Sequence, residues 1–323
     1  MLELDPLHWG LLIVTGGVTG LCLGLFGRAG SLVITPALLI VLPACGISAA
    51  EAPRIAVASA VAVLIPLGIA QAEGGLSRKA VDWDLFLLLA PSVVSGAVAA
   101  AIFADGLDGR IHVLVFAGIA GVFALGVMRG ARHQGAPAVL HAPQAILLML
   151  KTMAAGALCA LAGISPALLA AGPAGKVLGP ERAKATAQAL TLPFALAAAG
   201  GYLLQPPPSA CGQGCAGAVF LPCLAAAGMS AILAAPLGLR LRAWLPPRRL
   251  GGALPAIVLA SLCLAAFSSQ PLLTLAEEAG VAAAEYVLGP LCEPPPAPGK
   301  VVLQSPENAP VRLGEVPLKA AAR

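Results

Sequence analysis

Long apolar runs separated by short polar breaks occupy most of the chain. The runs cover, in order, residues 9–27, 31–46, 55–72, 83–104, 111–129, 145–163, 164–175, 183–204, 216–238 and 251–269. Most approach the ~20 residues that a helix needs to cross a hydrocarbon layer of about 30 Å. The breaks, such as EAPR and GPERAK, carry the Gly, Pro and charged residues typical of connections between spans. The pattern predicts an all-α, polytopic integral membrane protein.

Two of the runs, 31–46 and 164–175, are short and interrupted by proline. They are typical of half-helices, which enter the membrane without a full crossing of their own or complete one by joining a neighbour. The chain then has eight crossings if these runs do not cross and ten if they do. Lys and Arg segregate more strongly to one side with ten crossings, so the positive-inside rule favours that arrangement. Both arrangements place the termini on the extracytoplasmic side.

A pattern in the first half returns in the second half. The matched residues are Thr15 with Thr152, Cys22 with Cys159, Pro36 with Pro173, Glu51 with Glu181, Arg54 with Lys184, and Pro91 with Pro222. This predicts two homologous membrane repeats, residues 1–134 and 135–270, of four to five segments each, with the transport pathway at their interface. Residues 271–323 form a polar, Pro-rich tail that we expect to be largely disordered.

Composition narrows the class of protein. Hydrophobic residues make up 59% of the 323 residues and charged residues only 11%, whereas about a quarter of a soluble domain is charged. We therefore expect a lipid bilayer as the surroundings and no nucleic-acid partner; the oligomeric state stays open. Abundant Ala, Gly, Pro and Arg with little Lys suggest a bacterial, multi-pass inner-membrane protein.

The segment GLCLGLFGRAGSLVITP, residues 20–36, is the first candidate binding site. Closely spaced glycines, Gly27 and Gly30 among them, allow the backbone to unwind, and the half-helix that starts near Ser31 would aim free N–H groups into the gap. Arg28 stands at this break, and an arginine inside a bilayer costs several kcal/mol unless it is paired or hydrated. Together these residues predict a site for a small anion. Alternatively, Arg28 only anchors a helix end.

The matching segment in the second half, CALAGISPALLAAGP, contributes Ser165 but no cation. Ser59, Thr186 and Gln188 follow on the next apolar helix of each half and could donate hydrogen bonds to an oxyanion. These side chains could equally serve helix packing alone. One anion site between the halves, charged from the first half, fits this asymmetry.

The cysteines offer two further hypotheses. Cys22 and Cys159 lie beside the glycine breaks and could contact a sulfur-containing substrate, although a membrane cysteine is also a common apolar filler. Cys211 and Cys215 lie in a loop predicted to face the oxidising side and could form a disulfide. The apolar runs hold no nucleophile–base set, acidic dyad or metal-ligand pattern. We therefore expect no enzymatic activity, no metal and no cofactor.

Three segments resemble the TauE/SafE sulfite exporter family of bacterial membrane transporters. They are GLCLGLFGRAGSLVITP, AVASAVAVLIPLGIAQ and LSRKAVDWDLFLLLAPSVVSGAVAAAIF, followed by a weaker second copy from about residue 152. The resemblance covers about residues 10–270. By resemblance, Gly24, Gly27, Gly30 and Pro36 fall on the entrance of the glycine-rich half-helix, and Ser59 on the following motif. The family pattern usually reads GIGGG where this chain has GRAGS, which implies a reshaped site.

The resemblance implies a secondary transporter that exports a small sulfur-containing anion, of the sulfite or organosulfonate class, across the inner membrane. Two alternatives stay open from the residues. One is an uptake permease for a small sulfur compound, and the other is a non-transporting membrane assembly factor that uses Cys211 and Cys215 to hold a partner.

Overall fold

The computed structural model describes residues 5–74, 80–128, 142–209, 214–245 and 255–264 except 257. Within these ranges the chain is all-α apart from one small hairpin. Its elements are α1 (Pro6–Phe26), a 3₁₀ helix (Gly27–Leu32), α2 (Ile34–Ala44), α3 (Ala52–Gly74), α4 (Trp83–Phe103), a 3₁₀ turn (Ala104–Gly106), α5 (Gly109–Met128), α6 (Ala142–Ala162), α7 (Ala167–Leu178), α8 (Pro180–Ala189), α9 (Thr191–Leu203), β1 (Cys215–Ala216), β2 (Val219–Phe220) and α10 (Leu221–Trp244). A last helical stretch lies within residues 255–264.

Six helices in the described ranges are long and apolar enough to cross a membrane on their own. They are α1 with its 3₁₀ extension, α3, α4, α5, α6 and α10. Large apolar side chains cover the outside of the bundle, among them Phe103, Leu233 and Leu87. Such a surface is stable only against lipid. The predicted polytopic, all-α membrane protein is confirmed.

Glycine and proline interrupt the helices near the predicted positions. The α1 helix ends at Gly27, which has a φ of 59°, and α6 ends before Gly163, with a φ of 70°. Side chains rarely adopt this backbone region, so glycine terminates both helices without strain. The short helices α2 and α7 follow these breaks, with 11 and 12 residues.

A third interruption was not anticipated. The run 183–204 was predicted as one segment, but the chain stops α8 at Ala189 and starts α9 at Thr191. Pro193 accounts for this break, since it has no N–H to bond the Ala189 carbonyl and its ring would clash with that group.

Contacts along α10 show that three helices share one direction. Gly16 of α1 lies against Ala227 of α10, and Gly24 lies against Ala235, so α1 and α10 run parallel. Contacts between α3 and α10 also progress in the same order: the Ser59 hydroxyl accepts a hydrogen bond from the Phe220 N–H, and Pro66 contacts Gly228. Because α1 and α3 run in the same direction, the segment from Gly27 to Ala44 must bring the chain back to the face where α1 begins, which we call the N-terminal face.

The second half follows the same course. The α9 helix runs opposite to α3, because Leu192 contacts Gly68 while Gln205 reaches Arg54 near the start of α3. The Tyr202 hydroxyl of α9 donates to the Ala160 carbonyl, so α6 and α9 end at the same face. The α7 helix must therefore return the chain before α8 and α9 cross again. These directions favour ten segments over eight, with α2 and α7 as the short ones.

Packing between the halves is reciprocal. The α1 helix packs on α10, and α4 packs on α6. Gly16 contacts Ala227 in the first pair, and Gly96 contacts Met153 in the second. The repeat detected in the sequence matches Gly16 with Met153 and Gly96 with Ala227, so each contact is the counterpart of the other. This supports two related halves; the boundaries 1–134 and 135–270 stay a prediction, and the tail at 271–323 lies outside the described residues.

We expect Gly20→Val to destabilise the bundle. A Cβ at Gly20 would clash with the backbone of Ala231 and push α1 away from α10; overpacking of this kind costs about 1–3 kcal/mol. Gly17→Val is the matched control, because a Cβ there meets nothing within 4 Å. Thermal unfolding in detergent should show a midpoint lowered by several degrees for Gly20→Val alone. Equal midpoints for the two variants would contradict this packing.

We also expect the loop before α3 and the start of α1 to lie on the same side of the membrane. Cysteines introduced at Asp5 and Ser48 should react with an impermeant thiol reagent from the same side, and one at Arg182, near the start of α8, from the other. Peptide mapping distinguishes them from native cysteines. If Ser48→Cys and Arg182→Cys react from the same side, the eight-crossing arrangement is correct.

Candidate functional site

The two helix breaks meet inside the bundle. Ser31, in the 3₁₀ helix after α1, donates its hydroxyl proton to the Arg28 carbonyl at 2.9 Å. The same oxygen accepts the backbone N–H of Ser165, from the break after α6, at 3.3 Å. Both serines are buried. The Ser31 hydroxyl thus forms hydrogen bonds with backbone groups at both breaks.

Threonines complete this junction. The Thr35 hydroxyl lies 3.0 Å from the carbonyl oxygens of both Ala162 and Gly163, which the end of α6 leaves without helical partners. A Cβ at Gly163 would stand 2.7 Å from the Thr35 Oγ1, so the close approach also requires glycine. The Ser165 and Thr191 hydroxyls are 2.7 Å apart and share a hydrogen bond. Thr191 is the first residue of α9, so three interrupted segments are joined here.

Arg28 is half-buried beside this junction. Its NH1 donates to the Ala167 carbonyl at 3.5 Å, and its guanidinium lies 5.9 Å from the centre of the Phe123 ring. That arrangement is a cation–π contact. Within the described residues, no carboxylate forms an ion pair with Arg28. Among the described residues, therefore, no acidic side chain neutralises this positive charge.

Two further polar groups lie close to Gly27, the residue that follows α1. The Gln188 Nε2 lies 3.3 Å, and the Arg242 NH1 3.9 Å, from the position that a Cβ on Gly27 would occupy. Gln188 is half-buried near the end of α8, and Arg242 is exposed in the last turn of α10. A second cation and an amide donor thus border the glycine next to Arg28.

The structure brings together most, but not all, of the predicted anion-binding residues. Five of these residues lie at or beside the junction: Arg28, Gly27, Ser31, Ser165 and Gln188. Gly30 supports it, because a Cβ there would collide with Leu23 in the last turns of α1.

Two predicted donors serve other contacts. The Ser59 hydroxyl accepts the N–H of Phe220 at 3.0 Å, and the Thr186 hydroxyl accepts the N–H of Asp82 at 3.0 Å. Ser59 connects α3 to the hairpin strand before α10, and Thr186 connects α8 to the start of α4. Both side chains are fully buried, and each has the packing role that the sequence left open.

The predicted cysteines divide into two groups. The Cys159 thiol is buried and lies 3.7 Å from the Ser165 carbonyl, so it lines the junction, whereas Cys22 is only half-buried on α1. Cys215 takes part in a disulfide. Its predicted partner, Cys211, lies outside the described residues, so the pairing stays a prediction.

Sequence reasoning missed four residues of this region: Thr35, Phe123, Thr191 and Arg242. Thr35 and Thr191 fall within segments already singled out, and a search for hydroxyls within one turn of each break would have found them. Phe123 and Arg242 come from α5 and α10, and nothing in their local sequence connects them with the breaks.

Comparisons with known proteins agree with this architecture. Residues 12–267 match the model of the family described as Sulfite exporter TauE/SafE. The chain belongs to that family. A "Probable membrane transporter protein" of Haemophilus influenzae (strain ATCC 51907 / DSM 11121 / KW20 / Rd) is 28% identical over 107 residues, which are 33% of this chain and 40% of that protein. The chain thus matches less than half the length of this relative. No solved structure matches the chain.

Membership in TauE/SafE confirms the resemblance seen in the sequence. It places the broken helices of this chain in a family of membrane transporters. Broken helices that meet at the interface of two halves are a common way to build a transport site.

We expect Ser31→Ala to destabilise the junction, because it leaves the buried Ser165 N–H without a partner. An orphaned buried group of this type costs about 1–3 kcal/mol. Ser95→Ala is the matched control, since that exposed hydroxyl bonds only the Ser92 carbonyl of its own helix. Thermal unfolding should separate the variants by several degrees. No loss in Ser31→Ala would mean that the hydroxyl does not hold the breaks together.

Proposed function

We propose that the chain is a secondary transporter of the bacterial inner membrane that exports a small sulfur-containing anion, of the sulfite or organosulfonate class. Arg28 binds the anion at the junction of the helix breaks. The observation that carries the proposal is the charge of Arg28, which is half-buried in the fold and faces no carboxylate among the described residues.

The chemistry of Arg28 suits an oxyanion. A guanidinium presents five N–H donors in a planar fork and binds two oxygens of one anion at a time. In the described part of the chain, one weak contact, to the Ala167 carbonyl, engages these donors. An arriving anion would neutralise the charge and so offset the free-energy cost of holding it inside the bilayer.

The neighbouring hydroxyls set the shape of the site more than its charge. Ser31, Thr35 and Ser165 are already committed to backbone groups and to one another. They hold the two breaks at a fixed separation. The site therefore offers an oxyanion the guanidinium of Arg28 rather than these hydroxyls.

Gln188 and Arg242 provide the approach to this site. Both stand beside Gly27, away from the N-terminal face, so an anion arriving from the opposite face meets Arg242 first. Exposed cations of this kind raise the local concentration of anions. If the N-terminal face is extracytoplasmic, as the sequence predicts, the approach is cytoplasmic and the direction is export. An inside-negative potential favours that movement by about 2.3 kcal/mol per charge per 100 mV.

We expect Arg28→Ala to abolish most of the flux. Loss of a charge-assisted contact worth about 1.5–3 kcal/mol should slow transport at least about tenfold. Proteoliposomes loaded with radiolabelled sulfite or sulfoacetate provide the measurement. Arg28→Lys should retain part of the rate, because it keeps the charge and loses the fork. Arg242→Ala should raise KM more than it lowers the maximal rate.

Arg240→Ala is the matched control for these variants. Arg240 is exposed on the same helix and carries the same charge as Arg242. It lies two residues earlier and so on another face of α10, away from Gly27, and its loss should leave the flux unchanged. Full flux in Arg28→Ala would place the anion elsewhere. Wild-type protein that moves other anions but neither sulfur compound would contradict the proposed substrate class.

A further inference from the structure

A polar cluster closes the N-terminal face of the bundle around Arg54. Its guanidinium pairs with the Asp105 carboxylate at 2.5 Å and donates from Nε to the Gln205 Oε1 at 3.1 Å. Gln205 in turn donates to the Ala101 carbonyl at the end of α4. We call Arg54, Asp105 and Gln205 the Arg54 latch. It ties the start of α3 and the turn after α4 to the end of α9, so it joins the two halves at this face.

His112 lies close to this latch, because Gly109, one turn earlier in α5, packs against Pro53 beside Arg54. It sits in the first turns of α5, and its side chain is 1% exposed. Within the described residues, neither ring nitrogen has a partner in hydrogen-bond geometry; the nearby Asp108 carbonyl falls short of it. Leaving a buried polar group in this condition costs free energy. A conformation that supplied a partner would recover that free energy.

The charges around the imidazole determine its protonation. Burial acts against the charged ring, the carbonyl and carboxylate of Asp108 in α5 favour it, and Arg54 of α3 opposes it. Asp105 is engaged by Arg54, and Arg110 lies in the same turn of α5. Glu51, before α3, accepts from Ser209. The neighbouring helix α6 carries Lys151, which is exposed, and Tyr202 of α9 donates to Ala160.

These groups favour different ring states when the latch is closed and when it is open. With Arg54 in place, a buried imidazolium would face a nearby guanidinium whose counter-charge is already engaged, which is costly. When Arg54 withdraws, the Asp105 carboxylate loses its partner. An imidazolium would then no longer be repelled by Arg54 and would still be favoured by Asp108, which lies one turn before it.

We propose that His112 is a proton-binding site whose occupancy opens the Arg54 latch. The neutral ring belongs to the closed latch and the protonated ring to the open one. Acidification below neutral pH therefore shifts the protein toward the open N-terminal face. The inference rests on the proposed function in one respect only, namely that the opening lets an anion pass.

Native Cys45 reports the state of this face without any substrate. It follows α2 at the N-terminal face, is a free thiol and is 4% exposed. Burial raises the pKa of the Cys45 thiol, so opening should increase both its exposure and its thiolate fraction. Labelling of full-length protein in liposomes by an impermeant maleimide, located by peptide mass, gives the rate at Cys45 alone.

We expect the ratio of the Cys45 labelling rates in wild type and His112→Gln to rise at least about threefold between about pH 7.5 and about pH 5.5. Taking the ratio cancels the pH dependence of the thiol itself. Asp105→Asn removes the counter-charge of the latch and should label rapidly at both pH values. His8→Gln is the matched control, because His8 lies at the same face and its Nδ1 also lacks a partner in the described residues.

Three results would overturn the inference. They are a constant ratio between wild type and His112→Gln, a protected Cys45 in Asp105→Asn, and a His8→Gln variant that loses the pH response as completely as His112→Gln. Because labelling needs no transported anion, failure of the flux experiment would leave this result intact. A pH-gated face with no anion flux would instead contradict the proposed function alone.

Discussion

The main chain freed where α1 and α6 stop is the constraint on which the rest of the fold depends. Inside a lipid layer no water is available to satisfy exposed N–H and C=O groups, so each must find a partner in the protein. Ser31 and Thr35 provide those partners for the opposite break. The two breaks are therefore stable only when they face each other. That requirement places residues far apart in sequence at one point and leaves Arg28 beside it.

Much of this arrangement follows from local chemistry and could be predicted. Glycine at 27 and 163 and proline at 166 indicate where helices stop, and hydropathy gives the spans. The break between α8 and α9 was missed because Pro193 lies inside a run that is otherwise apolar and continuous. Pro66 lies inside α3 without dividing it. A proline alone thus does not decide between a kink and a break; the packing around it does.

The candidate site, too, could be predicted from the sequence only in part. Arg28 is conspicuous in the sequence because a charge in an apolar run is rare and costly. Its surroundings are not, since Phe123 and Arg242 reach it only through the folding of α5 and α10. Ser59 shows the opposite case: its hydroxyl lies in a motif that predicts anion binding, but it accepts a hydrogen bond from the Phe220 N–H. Residue type predicts which groups can bind an anion, whereas tertiary contacts decide which of them remain available.

The glycine contacts of α1 and α4 bear on how such a protein can move. Gly16, Gly20 and Gly24 bring the backbone of α1 onto α10, and Gly96 brings α4 onto α6. Backbones this close slide poorly, because no flexible side chains lie between them. Each tight pair takes one helix from each predicted half, so displacing the first half as a block would tear both pairs apart. We therefore expect the rigid bodies of this protein to be mixtures of the two predicted halves, so that the predicted repeat boundary is not the mechanical one.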